Sequence, residues 1–290
     1  MLNFLTEPFQ YEFMIRSFSA AVVVGIVCAV IGCYVVIQSM AFLGDALSHA
    51  ILPGVAIAYL TGGNLTIGAL IAAILVSIGI SAVSSEEGIK EDTAIGIFFT
   101  AALALGVALI SSIRSYAVDL THILFGNILG VDAQELKFII IVAAAVLLTI
   151  VVCYRFFLVV TFDPVMAKTI NWNVRLIRTS LLILIACTIT ISINTVGASL
   201  VTAMLITPAA SALMITKELR HTMVISAGMG AVSGIVGLYI SYYAGVSSGA
   251  AIVLTATLFF VIIYICSKIK KHRLEIQDAE LPNTIQKEDK

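Results

Sequence analysis

The sequence predicts an all-α, polytopic transmembrane helical bundle of about nine spans, with eight and ten as its bounds. Three observations predict it. The chain has 290 residues, of which 60% are hydrophobic and only 11% charged, against about 25% charged in a soluble domain. Its mean hydropathy is +1.10. The apolar residues also gather in runs of about 17–25, long enough to cross a bilayer as helices. A chain this poor in charge cannot cover itself with polar surface, so lipid is the solvent for most of it.

The runs fall at 17–38, 41–60, 67–84, 93–112, 136–157, 179–196, 198–216, 221–243 and 248–267. Between the fourth and fifth lies SIRSYAVDLTHILFGNILGVDAQE, half apolar and broken by Gly126 and Gly130. It reads as a short re-entrant or interfacial helix, since irregular backbone survives at membrane depth only under protein or along a cavity. The transmembrane domain so defined is 1–267, with 162–178 as a cytoplasmic loop, and 268–290 is a cytoplasmic tail. The last stretch of that tail, LEIQDAELPNTIQKEDK, is polar and reads as disordered. Residues 1–15 have no basic start and no small-residue cleavage site, so no cleaved signal is expected.

Loop charge sets the orientation. The connection 155–178 carries Arg155, Lys168, Arg175 and Arg178, and the turn 217–220 carries Lys217 and Arg220. The tail carries Lys268, Lys270, Lys271 and Arg273, whereas the turns near 62–66, 195–198 and 244–247 carry none. With nine spans this puts the N-terminus outside and the C-terminus in the cytoplasm, although Arg16 and Arg114 run the other way. A true span at 117–131 would make ten helices and bring the N-terminus inside. Small residues recur within the spans, as in AGMGAVSGIVG, and close backbone approach through them drives helix association in lipid.

Several function classes are excluded. The net charge of -1 says nothing about nucleic acid, and with no Lys/Arg cluster outside the C-terminus to suggest it, nucleic acid is not expected as a partner. Cys28, Cys33, Cys153, Cys187 and Cys266 lie in apolar runs without metal-type spacing and read as small buried hydrophobes. No GxxxxGK[ST] loop occurs, so the chain does not bind ATP through a Walker A loop. HExxH and GxSxG are missing too, which leaves hydrolase chemistry without its usual residues.

The polar residues that remain are few. In GDALSHAILPG, Asp45 and His49 stand at i and i+4, one above the other on a helix about 6 Å apart. An ionisable group at the bilayer centre costs on the order of 3 kcal/mol, so such groups face a bundle interior or a water path. One reading makes Asp45 a helix cap and His49 a satisfied polar residue. The other makes carboxylate plus imidazole half of a divalent-metal site, with a twofold-related second subunit supplying the rest. Pro53 would kink the same helix.

His122, in the irregular segment, lines a path or rests at the interface. Asp92 reads as the N-cap of the following run, and Pro208 as a kink or break. His221 and His272 flank basic residues and read as solvated. The loop FDPVMAKTINWNVRLIR is long and basic, with Val165, Met166 and Ile170 apolar beside Lys168. It reads as a short surface helix that a protein partner grips, or as one that rests on headgroups.

Five blocks in order carry a resemblance: GDALSHAILPGVAIAY, DTAIGIFFTAALALG, DLTHILFGNIL, the FDxxxAK loop and VGASLVTAMLITPAASA. Over residues 16–266 they resemble the membrane subunit of the manganese/zinc/iron family of bacterial ABC importers. The SHAxLPG form is most like the manganese (and iron) permeases. The resemblance implies a fold similar to cobalamin-type importer permeases and a multi-pass protein of the bacterial cell membrane. It also implies a homodimer or pair of like subunits, two cytoplasmic ATP-binding subunits and an extracellular metal-binding protein. No cofactor is bound permanently; the ion, Mn²⁺ or else Zn²⁺ or Fe²⁺, is cargo.

By the same resemblance Asp45 and His49 handle that ion. The FD loop is the coupling helix that docks on the ATPase, with Asp163, Ala167 and Lys168 in its motif. Relatives often place Gly and Pro after the AK, where this chain has Asn171, Trp172 and Asn173. Asparagine tolerates the left-handed conformation, so a helix end at Asn171 is still expected. Two other classes stay open: a secondary transporter or channel for divalent cations without an ATPase, and an intramembrane metal hydrolase. The latter lacks a third ligand and a general base.

Overall fold

Backbone groups in lipid have no water to bond, and coiling satisfies them within each segment. The computed structural model describes residues 7–84, 89–112 and 128–288, and among these there is no strand. A 3₁₀ turn at Glu7–Gln10 leads into α1 (Glu12–Ile37). Next come α2 (Ala41–Ala50) and α3 (Leu52–Leu60), two halves of one span broken at Ile51. Pro53, in the first turn of α3, cannot donate to a carbonyl in α2, so the break falls where the sequence puts it.

Helices α4 (Leu65–Ser84) and α5 (Glu91–Ser111) follow, then a 3₁₀ turn at Ile128–Gly130 and α6 (Ala133–Val152). The chain bends at Cys153 into α7 (Tyr154–Phe162) and the short α8 (Pro164–Thr169). The rest is α9 (Val174–Val196), α10 (Ala198–Ile215), α11 (Leu219–Ala244) and α12 (Ser248–Glu288). Eight stretches of the described residues are long and apolar enough to cross a bilayer, with α2 and α3 counted as one. The shorter apolar stretch Leu200–Ile215, in α10, supplies the ninth.

α1 is the central post, packed between α11, α10, α6 and α9. It can be central because its glycines let other backbones come close. A Cβ at Gly25 would lie 2.6 Å from the Gly230 carbonyl oxygen of α11, and one at Gly32 would collide with the Leu205 carbonyl of α10. Lipid tails are as apolar as leucine, so this intimate packing replaces the hydrophobic drive of water-soluble bundles. Aliphatic side chains such as Ile71, Leu75, Leu148, Val151, Val224 and Leu254 are exposed, as surfaces for lipid.

Hydrogen bonds sort the ends of the bundle. At one end Gln38 donates to Thr161 at 3.0 Å, and Arg178 pairs with Glu91. At the other, Tyr243 donates to Glu7 at 3.4 Å and Ser17 to the Ile128 carbonyl at 2.9 Å. The alternating helices bring Arg155, Lys168, Arg175, Lys217, Arg220 and Lys268 to the first end, which is the basic one.

Three expectations are corrected. The stretch from 274 to 288 is not disordered: α12 runs on to Glu288, helped by the Lys, Arg, Leu, Glu and Gln that follow the span, which are good helix formers. Of the kink or break expected at Pro208, the break does not occur, since α10 is continuous across it; flanking helices hold a proline-bearing span together. Asp92 is not the cap of α5. That helix starts at Glu91 with Lys90 as N-cap, so Asp92 lies in the first turn, where its charge suits the helix dipole.

Candidate metal-handling site

α2 buries one side and opens the other. Leu43, Gly44, Ala46, Leu47, Ser48 and Ala50 are buried, whereas Phe42, Asp45 and His49 form a single less buried stripe. The buried side fits α10 closely: a Cβ on Gly44 would lie 3.5 Å from the Thr202 methyl. Ser48 returns its hydroxyl proton to the Gly44 carbonyl at 2.8 Å, so no polar group is wasted on that side.

Asp45 is the fifth residue of α2, and the helix is capped by Met40 instead. The capping alternative therefore fails. His49 Nε2 lies 3.8 Å from Asp45 Oδ1, with side chains 29% and 46% exposed. That gap is too wide for a hydrogen bond, so neither group uses up the other. It is narrow enough for both atoms to bond one ion at about 2.1 Å each. Among the described residues no cluster of three His, Cys, Asp or Glu side chains gathers, so Asp45 and His49 stand as a pair with no third such side chain beside them.

A residue that sequence reasoning passed over braces them. Phe99 of α5 has its ring 6.0 Å from the His49 ring and 5.6 Å, edge-on, from Phe42. Its only signal in the sequence was membership of the DTAIGIFF block. His122 lies outside the described residues, as does the segment 113–127 around it.

At the basic end, the FD loop forms a helix. Asp163 caps α8, its Oδ1 accepting from the Met166 N–H at 2.8 Å. Ala167 is buried, while Val165, Met166, Lys168 and Ile170 are exposed. Asn171 ends the turn with φ 58°, the left-handed conformation expected of it. Asn173 then caps α9 through Leu176 N–H at 3.0 Å, and Trp172 packs on Phe156 with ring centroids 4.7 Å apart. The asparagines do the work that Gly and Pro would do.

The family model described as "ABC 3 transport family" matches residues 10–267. The chain belongs to the ABC 3 transport family. Among curated relatives of this ABC 3 chain is the manganese transport system membrane protein MntC of Halalkalibacterium halodurans, 43% identical over 91% of this chain and 90% of that one. The chelated iron transport system membrane protein YfeD of Yersinia pestis is 37% identical over 93% and 91%. The solved PsaBC from Streptococcus pneumoniae, in complex with Fab, matches with a TM-score of 0.80 and 38% identity, covering 91% of this chain and 95% of that one. A metal-chelate type ABC transporter in an inward-facing conformation shares the fold at a TM-score of 0.68 and 15% identity, over 87% and 85% of the two chains. The fold is thus that of ABC 3 and cobalamin-type permeases, as the sequence blocks implied.

Proposed function

We propose that this chain is the membrane-spanning subunit of an ATP-driven importer of divalent transition-metal ions, with Mn²⁺ as its main cargo. Asp45 and His49 receive the ion at the open stripe of α2. A second copy of the chain across a twofold axis supplies the remaining protein ligands. The pairing of carboxylate and imidazole at 3.8 Å on a half-open helix face carries this reading. Names of relatives support the metal: the MntC protein is described as a manganese transport protein and YfeD as a chelated iron one.

In this reading the basic end is cytoplasmic, in a bacterial cell membrane. α8, with Asp163, Ala167 and Lys168, docks on the ATP-binding subunit and moves with it. An extracellular metal-binding protein delivers the ion to the opposite end. Transport proceeds by alternating access, with the α2 stripe facing one side and then the other. Mn²⁺ is the weakest binder of the first-row series, so Zn²⁺ or Cu²⁺ would win on affinity alone. Selectivity must come from site geometry and from the delivering protein.

The test is uptake by the complex in proteoliposomes, with Mn²⁺, Fe²⁺ and Zn²⁺ offered separately. Uptake that requires ATP and the ATP-binding subunit, and is fastest for Mn²⁺, is expected. Uptake driven by a proton or sodium gradient and indifferent to ATP would instead make the chain a secondary transporter.

A further inference from the structure

Glu91 opens α5, and Arg178 stands in the second turn of α9. Their side chains form an ion pair, with the carboxylate 13% exposed and the guanidinium 40%. The other carboxylate oxygen, Oε1, is buried with no hydrogen-bond partner among the described residues. Arg178 is therefore the partner on which this buried charge depends, and a buried charge that loses its partner is strongly disfavoured. Beside the pair, the Ser81 hydroxyl of α4 and Thr179 of α9 are 2.5 Å apart.

This junction lies directly after the short surface helix. Asn171, Trp172 and Asn173 join α8 to α9 in one tight turn, held by the Trp172 N–H to Ala167 carbonyl bond at 3.0 Å. A displacement of α8 must therefore carry the start of α9. From Glu91, α5 climbs about two turns, about 12 Å, to Phe99. That ring stands 6.0 Å from His49 and 5.6 Å from Phe42. One helix thus has a charge grip at its foot and an aromatic brace on the candidate ligand above it.

We propose that the Glu91–Arg178 ion pair is a positioning pair that transmits movement of α8 and α9 through α5 to His49. The inference rests on the reading of α8 as the ATPase-docking helix. A charge pair suits the task better than apolar contact. Lipid supplies no hydrophobic drive to hold one helix to another, whereas an ion pair with a largely buried carboxylate fixes which residue of α9 meets which residue of α5. Phe99 then converts a tilt of α5 into a shift of the His49 ring, opening or closing its distance to Asp45.

The experiment measures Mn²⁺ uptake and ATP hydrolysis on the same proteoliposomes, using the chain with its ATP-binding subunit and binding protein. The variants are E91Q, R178Q, the charge exchange E91R/R178E, and T179A as a control at the same junction. In E91Q and R178Q the ions moved per ATP hydrolysed should fall about tenfold, with hydrolysis retained. The exchange should recover most of the wild-type ratio, and T179A should keep it. An unchanged ratio in E91Q and R178Q overturns the inference. If the single variants do not assemble, the exchange decides: recovery of the ratio supports the pair, and an assembled but uncoupled complex overturns it. Wild-type uptake that ignores ATP would overturn the importer reading itself, a result distinct from ATP-driven uptake with an unchanged E91Q ratio.

Discussion

At the residue scale the candidate site is a division of labour on α2. Phe42 and His49 are seven positions apart, and with Asp45 between them they face the same way because helical periodicity demands it. Phe99 is an aromatic neighbour of the imidazole, its ring 6.0 Å away. Phe99→Ala should therefore lower Mn²⁺ uptake several-fold while the complex still assembles, and Phe99→Tyr should retain most of it. Uptake and co-purification on the same preparations check both. The Asp45–His49 spacing was legible in the sequence, since two residues four apart need no tertiary information. Phe99 was not, because its role comes from the packing of α5 on α2, which no local pattern encodes.

At the element scale, breaks and caps give the bundle its working parts. The span split at Ile51 and the left-handed Asn171 were readable from Pro53 and from asparagine's own conformational tolerance. The break allowed for at Pro208 and the disordered tail did not appear, in α10 and α12, because neighbours and helix propensity outweighed local signals. Asp163 offers a direct test of α8. Removing its cap with Asp163→Ala costs about 1 kcal/mol of helix stability, so the ATP-binding subunit should bind roughly fivefold more weakly. Asp163→Asn, which keeps an acceptor, should restore it; titration of the solubilised chain with that subunit reads the difference. A second element-scale expectation concerns the α1–α10 crossing. Gly32→Val places its side chain against the Leu205 carbonyl, so little folded protein should be recovered from the membrane. Wild-type yields of Gly32→Val would contradict the crossing.

At the scale of the whole molecule, nine apolar stretches among the described residues, with the basic residues at one end, give the orientation proposed above. Cysteines introduced at Thr61 and at Lys217, in otherwise cysteine-free protein, should be labelled by an impermeant reagent from opposite sides. Thr61→Cys should react from outside intact cells and Lys217→Cys only after the membrane is opened. Most of this architecture was present in composition and run length, because lipid leaves so few alternatives to the helix. In the proposed reading, handling of the ion rests on two side chains among 290 residues, and there the central claim is exposed. The most direct test is ATP-dependent Mn²⁺ uptake by reconstituted Asp45→Ala and His49→Ala complexes, with assembly verified by co-purification of the ATP-binding subunit. Loss of uptake in both, with assembly intact, is the predicted result. Wild-type uptake in both would contradict the account.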